Sequence, residues 1–311
     1  MTKPAVLLVS HLPEPLGRLL HERFDCHVLT QLDTTGLMAL APQLRGMVAT
    51  GESVVSRALM SSLPALEVIA VLGVGYDGID MAAARERGIC VTHTPGLSTE
   101  DIADFALALL LAAARQVVSA DKFVRRGAWP SGRYGMTRRV YGARLGIVGL
   151  GRIGRAVATR ALAFGMDISY TGRAPKSDVA YRWCADARTL AAGVDFLVVC
   201  ASGGTATRGL INRDVLAALG PAGVLINVGR GSIVDEEALL EALQERHILA
   251  AGLDVFCHEP HIAQGLLALE NVVLTPHIAS MTGATVQAMQ ELTFANLSAH
   301  FDGLPVPTPV V

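Results

Sequence analysis

Short apolar runs rich in β-branched residues recur along the chain, and longer stretches in which apolar positions return at helical spacing lie between them. Over the first hundred residues the runs fall at 6–9, 47–50, 68–72 and 90–92. Runs apolar at every position suit strands covered on both faces, so they predict a small open parallel sheet. The turn segment Thr92-His93-Thr94-Pro95-Gly96 follows, and Ser98-Thr99-Glu100-Asp101 then offers an N-cap with an acid three positions on. That cap opens a helix predicted to reach about residue 120. A second series of runs lies at 145–148, 168–170, 196–199, 224–227, 250–255 and 272–275. Six parallel strands alternating with helices predict a doubly wound sheet. The last helical pattern, 282–300, has no seventh strand to feed and is assigned back to the first domain. The chain thus reads as an α/β protein of two domains, one discontinuous (1–97 with 283–311) and one continuous (98–282). No fixed-period repeat interrupts it.

Composition refines this picture. A length of 311 residues suits two cores, and an apolar share of 51% with 5% aromatics suits short buried strands crossed by Ala-rich helices. A formal net charge of -2 provides no general field for nucleic acid or an anionic membrane, so neither is an expected partner and any anion site must be built locally. Lys3 and Pro4 precede a four-residue apolar run, far shorter than a signal-peptide core. The most apolar stretch, the ten residues 105–114, is about half of a ~20-residue membrane span. Five scattered cysteines, an odd number, argue against a disulfide framework and fit a reducing cytoplasm.

Gly149-Leu150-Gly151-Arg152-Ile153-Gly154 follows the run 145–148 and precedes the helical pattern 155–164, the context that a dinucleotide-binding turn requires. The first glycine permits the turn, the second lets backbone approach a pyrophosphate, the third lets helix and strand pack, and the helix N-terminus favours negative charge. The spacing alone is weak, since Gly73, Gly75 and Gly78 match it after another strand. At the next strand end, where a carboxylate would hold an NAD ribose, the chain reads Tyr170-Thr171-Gly172-Arg173, with Ala174, Pro175 and Lys176 beyond. No acid is present. Arg173 and Lys176 suit a 2′-phosphate, so NADP, as NADPH, is expected ahead of NAD.

Three further segments end or follow strands of the second sheet, where such sheets bind ligands: Asn227-Val228-Gly229-Arg230-Gly231, Asp254-Val255-Phe256-Cys257-His258-Glu259-Pro260 and Thr275-Pro276-His277-Ile278-Ala279-Ser280. A cation, an acid and a histidine are the groups that reduction of a 2-keto acid needs: one for the carboxylate, a proton donor for the carbonyl oxygen, and a partner that keeps the donor charged. His258, Glu259 and His261 do not have the spacing of a metal-binding His-Glu-x-x-His helix, and Pro260 interrupts them, so no metal is expected.

Together with the glycine turn, these segments resemble the D-isomer-specific 2-hydroxyacid dehydrogenase family over nearly the whole chain. The resemblance implies a Rossmann-type doubly wound parallel sheet plus a smaller flavodoxin-like α/β substrate domain. It implies that Arg230 binds the substrate carboxylate and keto oxygen, that His277 is the acid in reduction and the base in oxidation, and that Glu259 hydrogen-bonds the imidazole. A carboxylate there favours the protonated ring. By position, the backbone N–H groups of Val74 and Gly75, in Leu72-Gly73-Val74-Gly75-Tyr76-Asp77, would hold the carboxylate. Asp254 would take the nicotinamide amide, Thr99 would meet the ring, Val228 would lie at the cofactor, and residues 201–212 would cover its ribose. Within the family, Tyr-Thr-Gly-Arg at 170–173, Leu97-Ser98-Thr99-Glu100-Asp101 and Gly127-Ala128-Trp129-Pro130 look most like the glyoxylate and hydroxypyruvate reductases. There a tryptophan of the neighbouring subunit lines the pocket, so a homodimer with Trp129 acting in trans is implied, alongside Trp129 as simple dimer-arm packing. An aryl-pyruvate reductase is the nearest alternative. Formate dehydrogenases share the fold but resemble a Gln and His pairing, where this chain has Glu259. Corepressors that use the same fold as a cofactor-gated docking platform are the alternative from another class.

Overall fold

The computed structural model describes residues 3–310; Met1, Thr2 and Val311, which the sequence reading placed in the first domain, lie outside the described residues. Two compact units are present, one formed by the chain up to Ser98 and from Thr282 onward, the other by Thr99–Met281. No single helix among the described residues is long and apolar enough to cross a membrane.

The first unit is a five-stranded parallel sheet of β1 (Ala5–Leu8), β2 (Asp25–Val28), β3 (Leu44–Thr50), β4 (Val68–Leu72) and β5 (Cys90–Thr92), in the order β2-β1-β3-β4-β5. That is the flavodoxin-like order. Alternate residues of one strand feed two cores: Val6 and Leu8 join Leu16, Leu20 and Phe24 on one face, while Ala5 and Leu7 join Met47, Ile69 and Val91 on the other. Burial on both faces is why these strands read as unbroken apolar runs. The edge strand β2, Asp-Cys-His-Val, has no fully buried residue and carried no such signal. The terminal helix Gly283–Phe301, N-capped by Thr282 accepting from Thr285 N–H, lies against β4 and seats Phe294 and Phe301 on Phe24.

The second unit holds seven parallel strands, not six: β6 (Arg144–Val148), β7 (Asp167–Thr171), β8 (Arg182–Cys184), β9 (Phe196–Val199), β10 (Val224–Asn227), β11 (Ala250–Leu253) and β12 (Val272–Leu274). Their order, β12-β11-β10-β9-β6-β7-β8, reverses between β6 and β9, the switch point at which doubly wound sheets bind dinucleotides. β8, Arg-Trp-Cys, was not read as a strand because it is an edge strand with only Cys184 buried. The helix predicted to run from 98 to about 120 is also corrected. It spans Thr99–Ala114, and a second helix, Val117–Arg125, leaves at 58°. The break is Gln116, at φ 50, whose side-chain carbonyl accepts from Tyr134 Oη at 3.0 Å. Neither Gly nor Pro marks it, so the local pattern could not show it. The expected cap fails too, since Ser98 Oγ is buried without a hydrogen bond among the described residues.

Candidate active site

At the switch point the three glycines of the turn differ in what surrounds them. Gly149 sits at φ +93 and a Cβ there would stand 2.8 Å from the Ala201 backbone; a Cβ on Gly154 would stand 2.2 Å from Gly149 O. Both are required by packing. Gly151 has no heavy atom within 4 Å of such a Cβ and forms the N-cap of the helix Arg152–Leu162, which no side chain caps. Open space above the unsatisfied N–H groups of Arg152 and Ile153 fits a pyrophosphate, and with it a dinucleotide. Gly229 closes on the same place, because its Cβ would lie 2.7 Å from Ala201 O, and Val228, 6% exposed, donates its N–H to Val199 O at 3.2 Å. The ends of β6, β9 and β10 therefore meet at residues 149, 201 and 229.

The strand end beside it carries the expected basic residues. Lys176 N–H donates to Tyr170 Oη at 2.6 Å and closes the turn after β7, and Arg155 pairs with Asp178 at 2.9 Å and fixes its far side. Gly172, Arg173 and Lys176 are exposed, and Arg173 makes no ion pair or side-chain hydrogen bond among the described residues.

The histidine, the acid and the arginine come from the loops after β12, β11 and β10. His277 Nδ1–H donates to Glu259 Oε2 at 2.7 Å, and Glu259 Oε1 accepts from Phe256 N–H at 2.7 Å, so both carboxylate oxygens are engaged. Burial works against the Glu259 charge, but those two hydrogen bonds and the positive charges of His277 and Arg230 outweigh it, holding the carboxyl below the ordinary carboxylate range. His277 occupies the left-handed region at φ 55, unusual without glycine, and the neighbouring turn enforces it. Its N–H donates to Asp254 O at 2.9 Å, while the Asp254 carboxylate, 1% exposed, accepts from Thr275 Oγ1 (2.7 Å), Ile278 N (2.9 Å) and Ala279 N (2.9 Å). Asp254 thus anchors the loop that presents the histidine, and of about four acceptor positions on a carboxylate one is left for the amide that the sequence reading assigned to it.

Arg230 begins a loop set by a residue to which sequence reasoning gave no role. Asn227, 1% exposed, donates from Nδ2 to Arg230 O and accepts from Gly229 N–H, each at 3.0 Å. A Cβ on Gly231 would lie 1.9 Å from the carbonyl carbon of Phe256, so the arginine loop is pressed onto the loop that carries Glu259. Arg230 Nη1 donates to Gly229 O at 2.8 Å. A buried asparagine at a strand end was the available signal for this brace.

The remaining sequence-predicted residues are placed as follows. Thr99 is the first residue of the helix Thr99–Ala114, and Trp129, 65% exposed, stands on a short 3-10 turn, Trp129–Ser131. In the first unit, Val74 and Gly75 are half-buried just beyond β4, and neither N–H donates a hydrogen bond among the described residues. The glycines around them are not a dinucleotide turn: Gly78 lies where a Cβ would meet Ser53 O at 2.3 Å, and the next helix, Met81–Glu86, starts from its own cap, Asp80.

Comparison with known proteins gives a consistent result. Residues 107–279 match the model of the D-isomer specific 2-hydroxyacid dehydrogenase, NAD binding domain. The chain is 43% identical to a hydroxyphenylpyruvate reductase of Plectranthus scutellarioides over 308 residues, 98% of each chain. It is 41% identical to a 2-ketogluconate reductase of Gluconobacter oxydans over 310 residues, 100% of this chain and 99% of the other. Among solved structures, an NADPH-dependent glyoxylate/hydroxypyruvate reductase of Sinorhizobium meliloti in complex with NADP and malonate superposes with a TM-score of 0.94 at 39% identity, covering 100% of this chain and 97% of that one.

Proposed function

The chain belongs to the D-isomer specific 2-hydroxyacid dehydrogenase family and is an NAD(P)-dependent oxidoreductase, and from that premise we propose that it reduces small 2-keto acids with NADPH, turning glyoxylate and hydroxypyruvate into glycolate and D-glycerate. The observation that carries the chemistry is the 2.7 Å His277–Glu259 pair. With Nδ1 committed to the carboxylate, the proton given to the keto oxygen is held at Nε2, and Glu259 keeps the ring charged until it is given. Arg230 holds the substrate carboxylate and polarises the keto oxygen, stabilising charge as it develops. We likewise assign a contact with a substrate carboxylate to the N–H groups of Val74 and Gly75, considered on the first unit by itself. A nicotinamide, when bound, would supply the hydride for carbon 2. Gly149, Gly151, Arg152, Ile153 and Gly154 would hold its pyrophosphate, and Thr99, Val228 and Asp254 would hold its nicotinamide end.

Preference for NADPH rests on the strand end at Gly172, where an exposed Arg173 and Lys176 stand and no carboxylate does. Small substrates are supported by the reductase of S. meliloti, and an aryl pyruvate is the second reading, favoured by 43% identity to the hydroxyphenylpyruvate reductase. The exposed Val117, Val118, Val124, Trp129 and Met136 on the segment 117–136 support a homodimer, with Trp129 at or near the partner's substrate. Five unpaired cysteines support a cytoplasmic setting.

NADPH and NADH oxidation with glyoxylate, hydroxypyruvate, hydroxyphenylpyruvate and 2-ketogluconate tests this reading. Glyoxylate and hydroxypyruvate are expected to turn over best. His277→Ala lowers turnover by about 10²–10⁴ with NADPH binding intact. Arg173→Ala weakens NADPH binding by about 10–100-fold, the worth of a charge-assisted contact, and leaves NADH unchanged. A best substrate with an aromatic ring moves the assignment to the second reading, and no turnover of any keto acid points instead to a cofactor-gated binding protein.

A further inference from the structure

The loop after β4 is held from behind by the strand end beside it. Thr94 N–H donates to Gly73 O at 2.9 Å, Thr94 Oγ1 accepts from Gly73 N–H at 3.2 Å, and His93 Nδ1–H donates to Val74 O at 3.0 Å. A trans peptide points its C=O and N–H in opposite directions. The carbonyl of Gly73 shares a peptide with Val74 N–H, and the carbonyl of Val74 shares one with Gly75 N–H. Both carbonyls are drawn toward residues 93–94, so both N–H groups are turned away from them, and among the described residues neither N–H group donates a hydrogen bond. One holder is main chain and comes with the fold. The other is a side chain, His93, and could be replaced.

His93 is itself fixed to an unusual degree for a loop residue. Its N–H donates to Thr308 O at 3.3 Å and its carbonyl accepts from Thr308 Oγ1 at 2.6 Å. Thr308 is clamped in turn by Asn296 of the terminal helix, a side chain with no solvent exposure, which donates to Thr308 Oγ1 at 2.8 Å and accepts from Thr308 N–H at 3.0 Å. The Tyr76 ring, from the far end of the same loop, meets the imidazole edge-on at 5.3 Å and 85°. The ring is therefore held by its backbone on one side and by packing on the other, with Nδ1 aimed at Val74.

We infer that His93 is a positioning residue for substrate: by donating Nδ1–H to Val74 O it turns the 74–75 peptide so that Gly75 N–H, beside Val74 N–H, receives the carboxylate of the 2-keto acid. This rests on the reading of that loop as the carboxylate site. Two adjacent main-chain donors fixed in advance form an anion-binding concavity whose ordering cost is met on folding and not on each binding event. Without the His93 contact the 74–75 peptide can rotate, and its carbonyl, which repels a carboxylate, can take the place of the N–H. The donor matters here more than the ring. An asparagine presents its side-chain N–H at a similar distance from the backbone, whereas a leucine of similar size presents none.

The test is steady-state reduction of glyoxylate and hydroxypyruvate by wild type, His93→Asn and His93→Leu, with the inhibition constant of oxalate and the Kd of NADPH measured for each. His93→Leu is expected to raise KM and the oxalate constant by about tenfold, the worth of one hydrogen bond, with kcat changed much less and NADPH binding unchanged. His93→Asn is expected to stay within about twofold of wild type on every measure. Should the leucine variant fail to fold, the asparagine variant still decides: wild-type KM supports the inference, and a raised KM with normal NADPH binding overturns it. A leucine variant with wild-type KM, or equal damage in both variants, overturns it as well while leaving the proposed activity standing. A wild type that reduces no 2-keto acid sinks the proposed activity and this inference together.

Discussion

Glu259 and His277 lie 18 residues apart in the chain and 2.7 Å apart in space, and the carboxylate is held charged by its hydrogen bonds from His277 and Phe256 against the cost of burial. Glu259→Gln keeps the shape and removes the charge. Reduction consumes the protonated ring, and the charge that favours protonation would be gone, so the fall of the reduction rate on the alkaline side should move to lower pH. Turnover at neutral pH should drop by about 10–10². A pH profile superimposable on that of wild type would show that the pair does not govern the proton. At this scale the sequence singles out residue types tied to chemistry, Arg230, Glu259 and His277, and two of these, Glu259 and His277, are hydrogen-bonded in the structure. It was silent on residues that act by bracing others: Asn227 beneath Arg230, the three-way use of Asp254, and His93. Bracing depends on which carbonyl lies opposite, and that is not written locally.

The glycine turn after β6 shows how one element divides labour among identical residues. Gly154→Ala would push a methyl to 2.2 Å from Gly149 O, and should cost about 2 kcal/mol or more of stability. Gly151→Ala meets open space at an ordinary φ of -83. It should cost less than about 1 kcal/mol as a helix cap but weaken NADPH binding by about tenfold or more, since the methyl stands where the pyrophosphate approaches. Urea melts and nucleotide titration of the two variants separate these outcomes. Equal loss of stability in both would contradict the assignment. The other end of the same sheet offers a pH test. Asp195, before β9, accepts from the Arg144 side chain and N–H and from Arg138, contacts at 2.9–3.1 Å that hold its carboxyl below the ordinary range. Its contribution is complete above the unfolded carboxylate pKa and is lost as pH falls through the depressed folded value. Asp195→Asn should therefore cost about 1–2 kcal/mol at pH 7 and progressively less in acid. A difference independent of pH would exclude a charged pair. Elements were legible when buried on both faces, and β2 and β8 were missed because edge strands need bury little.

Across the whole molecule the residues proposed to hold the dinucleotide all belong to 99–281, whereas the β1–β5 sheet has its own cores. NADPH at a hundred times its Kd adds about 2.7 kcal/mol of stability. Hydrogen exchange should slow at the β6, β9 and β10 ends and leave β1 to β3 nearly unchanged; uniform protection would mean that binding is felt beyond the unit that holds the cofactor. The sequence by itself determined the α/β class, the apolar strands of both sheets, the glycine turn and the acid-free strand end, because burial and helix–turn chemistry act over a few neighbouring residues. Only the tertiary structure decided the seventh strand, the break at Gln116, the different duties of Gly149, Gly151 and Gly154, and the clamps formed by Asn227, Asp254 and His93. Several of these are fixed by an atom from a distant part of the chain, such as Tyr134 for Gln116, Ala201 for Gly149 and Val74 for His93, and hydrogen-bond direction and close approach exist only once those parts have met.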